Sequence, residues 1–139
     1  MDLSKRPPRS PKEKLEGITW LPRAIDKGRA KLAGNLGEYN FDCPMDKILF
    51  GHLGIDAEAF LAALQTRTTD AEMFEWVRAH ARTFTATSIA ESNAHLLGHG
   101  PSAESQEYFQ QARDKVAPGR TDITTWADLI EAEEAPAKV

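Results

Sequence analysis

Every apolar stripe in this chain is short. Glycine, proline or a capping residue closes each one within about a dozen positions, so the fold has to be assembled from short helices rather than from a long seam or a stacked repeat. Ser10-Pro11-Lys12-Glu13 has the form of a capping box with proline at the first helical position, and predicts a brief helix that Gly17 ends. Pro22 opens a longer helix with Leu21, Ile25, Gly28 and Leu32 on one face, and Gly34 stops it. Pro44 begins another, carrying Met45, Ile48, Leu49, His52 and Leu53 on one side up to Gly54. Asp56 caps a helix that buries Ala57, Phe60, Leu61 and Leu64. The capping box Thr69 to Glu72 starts a stripe of Met73, Phe74, Val77, Ala81 and Phe84, and Ser88 to Glu91 starts one of Ile89, Asn93, Leu96 and Leu97. Pro101-Ser102 begins a helix with Tyr108, Phe109, Ala112 and Val116 inward. Thr125 caps the last, with Trp126, Leu129 and Ile130 inward.

Between these helices, residues 37–43 alternate. Tyr39, Phe41 and Cys43 point one way, and Glu38, Asn40 and Asp42 the other, which is the one strand-like stretch in the chain. The expected architecture is therefore all-α or nearly so: a compact bundle of about seven short helices with one extended segment near residues 37–43. Its core should include Leu32, Phe60, Leu64, Val77, Phe109, Trp126 and Leu129. The expected organisation is a single domain over 1–139, with a basic N-terminal arm and short helix at 1–17. Glu131, Glu133 and Glu134 run toward a frayed tail at 135–139.

The 139 residues are 41% hydrophobic, enough to bury a core without disulfides or a structural metal. Cys43 is the sole cysteine and points to a reducing compartment. No apolar run is long enough to span a membrane, and the charged, proline-rich start lacks the apolar stretch of a secretory signal, so a cytoplasmic protein is expected. Charge is uneven. Residues 1–31 hold nine Lys or Arg against four Asp or Glu, and the remaining chain holds eight against seventeen. The basic arm either docks on the acidic body or offers phosphate contacts through Lys5, Arg6, Arg9, Lys12 and Lys14. The acidic body argues against nucleic acid as a partner.

Three blocks carry a resemblance. They are Leu21-Pro22-Arg23 through Gly34, Gly37-Glu38-Tyr39 through Asp46, and Gly119-Arg120-Thr121-Asp122-Ile123-Thr124-Thr125-Trp126. Together they resemble a bacterial family catalogued as a domain of unknown function, number 5069, over nearly the whole chain. The resemblance implies that these blocks are characteristic segments, and it implies no activity. The span Ser88 to Leu97 departs from the pattern, with Ser88 where a proline start is expected.

Phosphate loops, dinucleotide fingerprints, nucleophile elbows, H-E-x-x-H and C-x-x-C are all absent from the sequence. His95 and His99 have ligand spacing, but Gly98 should end the helix between them, and a capping role fits them better. His52 and His80 fall on apolar stripes and read as core histidines, so neither a metal nor a cofactor is expected. Cys43 precedes a helix opened by Pro44 and reads as a small buried group, a nucleophile or part of a ligand wall.

The most concentrated chemistry lies in residues 20–46. Arg23, Asp26, Lys27 and Arg29 occupy two helical turns, followed by Glu38, Tyr39, Asp42, Cys43 and Asp46. These groups form either a structural salt-bridge network or a pocket for a small polar or anionic ligand. Two functions stay open: a helical protein, monomer or homodimer, that binds a small molecule or protein partner, and a small enzyme with its polar site in this stretch.

Overall fold

The computed structural model describes residues 1–135; the rest of the expected tail lies outside them. The chain begins with an irregular arm and a minimal antiparallel hairpin, β1 (Lys14–Leu15) and β2 (Ile18–Thr19). Seven α-helices follow within the described residues. They are α1 (Leu21–Ala33), α2 (Pro44–Leu53), α3 (Ala57–Leu64), α4 (Asp70–His80), α5 (Ala86–Gly98), α6 (Gln106–Val116) and α7 (Trp126–Glu134), with a 3₁₀ turn at Ala103–Ser105 before α6. The fold is mostly helical, as expected. No helix among the described residues is long and apolar enough to cross a membrane.

The hairpin replaces the helix expected after Ser10. Lys14 pairs with Thr19 and Leu15 with Ile18, leaving Glu16 and Gly17 as a two-residue loop with both φ angles positive, 49° and 80°. That is the loop whose twist suits a tight hairpin, and glycine serves the turn rather than a helix end. The second correction concerns residues 37–43. They lie outside the helices but form turns instead of a strand, with Gly37 and Asp42 at φ 60° and 63°. The alternation in burial survives in part: Tyr39, Phe41 and Cys43 are half-buried while Glu38 and Asn40 are exposed.

α1 is the central element, with nine of its residues buried, from Leu21 to Gly28 and at Ala30. Pro22 starts it and Gly34 closes it in the left-handed conformation. A Cβ at Gly28 would overlap Leu64 Cδ1, so this glycine lets α3 approach the α1 backbone. Around α1 gather Ile18 and Trp20, Leu49, Phe50 and Leu53 of α2, Phe60 and Leu64 of α3, Met73 and Val77 of α4 and Leu96 of α5. A smaller cluster of Phe109, Ile123 and Leu129 joins α6 to α7.

Several faces differ from expectation. Leu32 is 39% exposed on the wall of an open cleft that it shares with Leu64 and Gln65, and Trp126 is half-buried between the two clusters. Tyr108 and Val116 are exposed, since α6 packs chiefly on α7 and needs only the narrow stripe around Phe109 and Ala112. α5 starts one turn early: Thr85 Oγ1 accepts from the Ser88 backbone N–H, and Ser88 Oγ accepts from that of Thr85. α4 ends at His80, which is exposed rather than core, stacks on Trp76, and has Nδ1 2.9 Å from the Trp76 carbonyl.

Candidate functional site

Arg23, Asp26 and Lys27 are charged, yet each is at most 3% exposed. Burying such groups is unfavourable unless hydrogen-bonded partners receive them, so their surroundings are built for them. Arg23 and Lys27 are one turn apart and share a side of α1; Asp26 is rotated about 100° from Lys27 and looks elsewhere.

Lys27 Nζ donates to Asp46 Oδ2 at 2.8 Å and to Cys43 Sγ at 3.1 Å. Asp46 is fully buried and also accepts from Trp20 Nε1 at 2.6 Å and from the backbone N–H groups of Asp42 and Cys43 at 2.9 and 3.3 Å. Asp46 is the third residue of α2, and its reach back to the N-cap Cys43 is the capping box that starts this helix. The left-handed turn at Asp42 aims two consecutive N–H groups at one carboxylate oxygen.

Arg23 makes a bidentate pair with Glu134 of α7, at 2.9 and 2.8 Å, and donates to the Arg9 carbonyl at 3.2 Å. Its guanidinium lies between the rings of Trp20 and Tyr39, at 5.2 and 5.6 Å from their centroids. Tyr39 donates its hydroxyl to Glu134 at 3.0 Å. Burial first, then the Glu134 charge, push the Tyr39 hydroxyl up to about 12, so it stays a donor at neutral pH. Burial also raises Glu133, and the neighbouring Glu134 adds to this.

Beside these groups is a cleft-like cavity of about 450 Å³, open to solvent, between α1, the 38–43 turns and α7. Arg23, Lys27, Glu38, Tyr39 and Cys43 line it, joined by Trp20, Met45, Ile130, Glu133 and Glu134. Trp20 holds φ at 78°, a conformation that a bulky residue adopts only under constraint, and its ring is part of the wall.

Asp46 lies buried behind this wall, and three other expected site residues lie elsewhere. Asp42 turns its carboxylate to Lys47 at 2.7 Å. Asp26 receives the Arg9 side chain and backbone N–H, and Arg9 continues to Asp70 at 2.5 and 3.0 Å. Arg29 stands 3.8 Å from Asp70 in the same network. That group lines a more open cleft of about 640 Å³ under the N-terminal arm. The arm is thus tied to the body, with Lys12 reaching Asp128 and Glu131 as well.

Glu134 is the residue the sequence reading sent to the tail. It is 8% exposed and anchors both Arg23 and Tyr39. A signal existed: the stripe Trp126, Leu129, Ile130 continues at positions 133 and 134. A carboxylate on an apolar stripe calls for a buried cation.

The fold and cleft together define a small helical protein whose central helix presents paired, buried charges to a preformed cavity. The chain belongs to the family described as Domain of unknown function (DUF5069), whose model matches residues 5–136. A comparison with curated proteins finds no match. Two of the three blocks that carried the resemblance, residues 21–34 and 37–46, supply most of the cavity wall.

Proposed function

We propose that this is a bacterial cytoplasmic protein, monomer or homodimer, that binds a small polar ligand in the cavity between α1, the 38–43 turns and α7. The observation that carries the reading is the state of Lys27. It is buried, fixed by Asp46 and Cys43, stands 5.8 Å from the Trp20 ring centroid, and uses two of its three donors in hydrogen bonds; the third is the one we assign to an acceptor group in the cavity. Such a donor needs no reorganisation on binding, which favours affinity. Arg23 and Lys27 are each already matched by a carboxylate, and Glu38 and Glu133 stand in the same wall. A ligand with an anionic or carbonyl end for Lys27 and a cationic or donor end for the acidic wall suits this field best. Neither nucleic acid nor a membrane surface fits it.

The test is a thermal-shift screen with phosphate, small carboxylates and amino acids. A compound that binds the native state raises the melting temperature by mass action. The expected result is a rise that Lys27→Met abolishes. A panel that leaves the wild type unmoved, or a rise that survives in Lys27→Met, would remove the proposal.

A small enzyme is the alternative reading, favoured by Cys43 Sγ standing in the cavity wall 3.1 Å from Lys27 Nζ. It requires a ligand that is turned over, with turnover lost in Cys43→Ala while the thermal shift persists. Full turnover in that variant excludes the cysteine as the reacting group.

A further inference from the structure

Three of the four histidines gather where α2 and α5 end. His52 sits in the last turn of α2, and His95 in that of α5. His52 Nε2 lies 3.0 Å from His95 Nδ1, with the rings edge to face and their centroids 5.2 Å apart. α5 runs through Gly98, so His99 follows as its C-cap, its ring edge-on to His95 at 5.8 Å. The spacing of His95 and His99 alone argued weakly for a site. The addition of His52 from a second helix changes its chemistry.

We propose that His52 and His95 form an inter-helix chelate for a divalent transition-metal ion, with His99 as the third ligand and water completing the shell. Two imidazole nitrogens bound to one ion at the usual ~2.0–2.1 Å stand about 2.9 Å apart in cis octahedral geometry and about 3.3 Å apart in tetrahedral geometry. The observed 3.0 Å falls between these values. The two nitrogens now face each other across one hydrogen bond. Small rotations about the side-chain torsions make both lone pairs converge on a point beside that contact. The ring that donates in the metal-free protein moves its proton to its other nitrogen, so the ion meets two neutral imidazoles with no net proton change. Among the described residues no three ligating side chains already form a cage, so His99 has to turn in when the ion arrives. His95 is exposed and the other two are half-buried, which gives the ion and its waters access. An all-nitrogen set selects zinc, nickel or copper over magnesium and calcium, which need oxygen ligands.

The test is calorimetry and thermal melting of the full chain near pH 8, with zinc, nickel and copper ions in turn and magnesium as control. Expected is one equivalent bound, with copper tightest, nickel next among the three or close to zinc, and no magnesium effect. His52→Asn and His95→Asn should each weaken binding on the order of tenfold or more, and His99→Asn by a smaller factor. His80→Asn on α4 should leave it unchanged. Circular dichroism of each variant confirms that it remains folded. Absence of binding at about 1 mM ion would overturn the proposal. So would binding that persists undiminished in folded His52→Asn or His95→Asn, which would place the ion elsewhere.

Discussion

The two sides of α1 hold charge differently. On the cavity side, Arg23 with Glu134 and Lys27 with Asp46 are almost wholly buried, at 4% and 9% and at 4% and 0% side-chain exposure. On the arm side, Arg9 is 30% exposed and straps Asp26 to Asp70. The first arrangement places desolvated charges inside the fold, where each depends on its partner. The second fastens an N-terminal segment over a buried Asp26, while Arg9 and Asp70 themselves remain partly solvated. The difference teaches that one helix serves both as core and as the wall of a polar cavity: on the cavity side both members of each pair are desolvated, whereas on the arm side Asp26 is buried but the arginine that answers it keeps contact with solvent.

The comparison breaks first at Asp46. Asp46→Ala leaves Lys27 buried without its counter-charge and frees three further donors. Chemical denaturation should show a loss of at least ~3–5 kcal/mol. Arg23→Ala leaves Glu134 with the Tyr39 hydroxyl but without its counter-charge, and should cost about as much as the lower end of that range, ~3 kcal/mol. On the arm side, Arg9→Ala should cost about 1–3 kcal/mol, because Asp26 keeps the backbone N–H of residue 9 and Asp70 is partly solvated. If Arg9→Ala proved the most damaging of the three, the assignment of buried and strapping sides would be reversed.

The two sides should also separate with pH. Hydrogen bonding from Arg9 holds Asp70 below its ordinary value of 3.8. That contribution is present above about pH 4 and fades as acid protonates the carboxylate. Tyr39 moves in the opposite direction. Its stabilisation is complete below its ordinary value of 10 and is lost as pH rises through about 12. A tyrosine absorbance titration should show a late step that Tyr39→Phe removes, with a stability loss of about 0.5–1.5 kcal/mol for the missing bond to Glu134. The smallest effect belongs to the periphery. Lys12→Ala breaks exposed pairs to Asp128 and Glu131 and should change stability by less than ~1 kcal/mol.

Where the sequence was legible, the local chemistry was self-contained. Pro22 and Gly34 bound α1, Pro44 and Gly54 bound α2, and Thr69 with Glu72 starts α4, because each device works within a single turn. The hairpin is not legible in the sequence, since two-residue strands show no period and a glycine after an apparent capping box reads equally well as a helix stop. Residues 37–43 misled for a different reason. Their alternation reflects which side chains meet the core, while the backbone bends so that Asp42 and Cys43 can deliver their N–H groups to Asp46. The cluster at 20–46 was visible as a concentration of charge, but its division was not. Whether Asp26 shares a pocket with Lys27 depends on the arm folding back to offer Arg9. Glu134, more than a hundred residues from Arg23, becomes a partner only when α7 docks.

The most direct measurement replaces the buried pair as a unit. Arg23→Met combined with Glu134→Leu removes both desolvated charges and keeps comparable volume. Its melting temperature is to be recorded with and without the compound that stabilises the wild type. The expected result is a double variant clearly more stable than Arg23→Ala, approaching the wild type, with the ligand-dependent rise lost or sharply reduced. A double variant that keeps the full ligand-dependent rise would contradict the assignment of these charges to the site, and one no more stable than Arg23→Ala would show that the two residues are not energetically coupled.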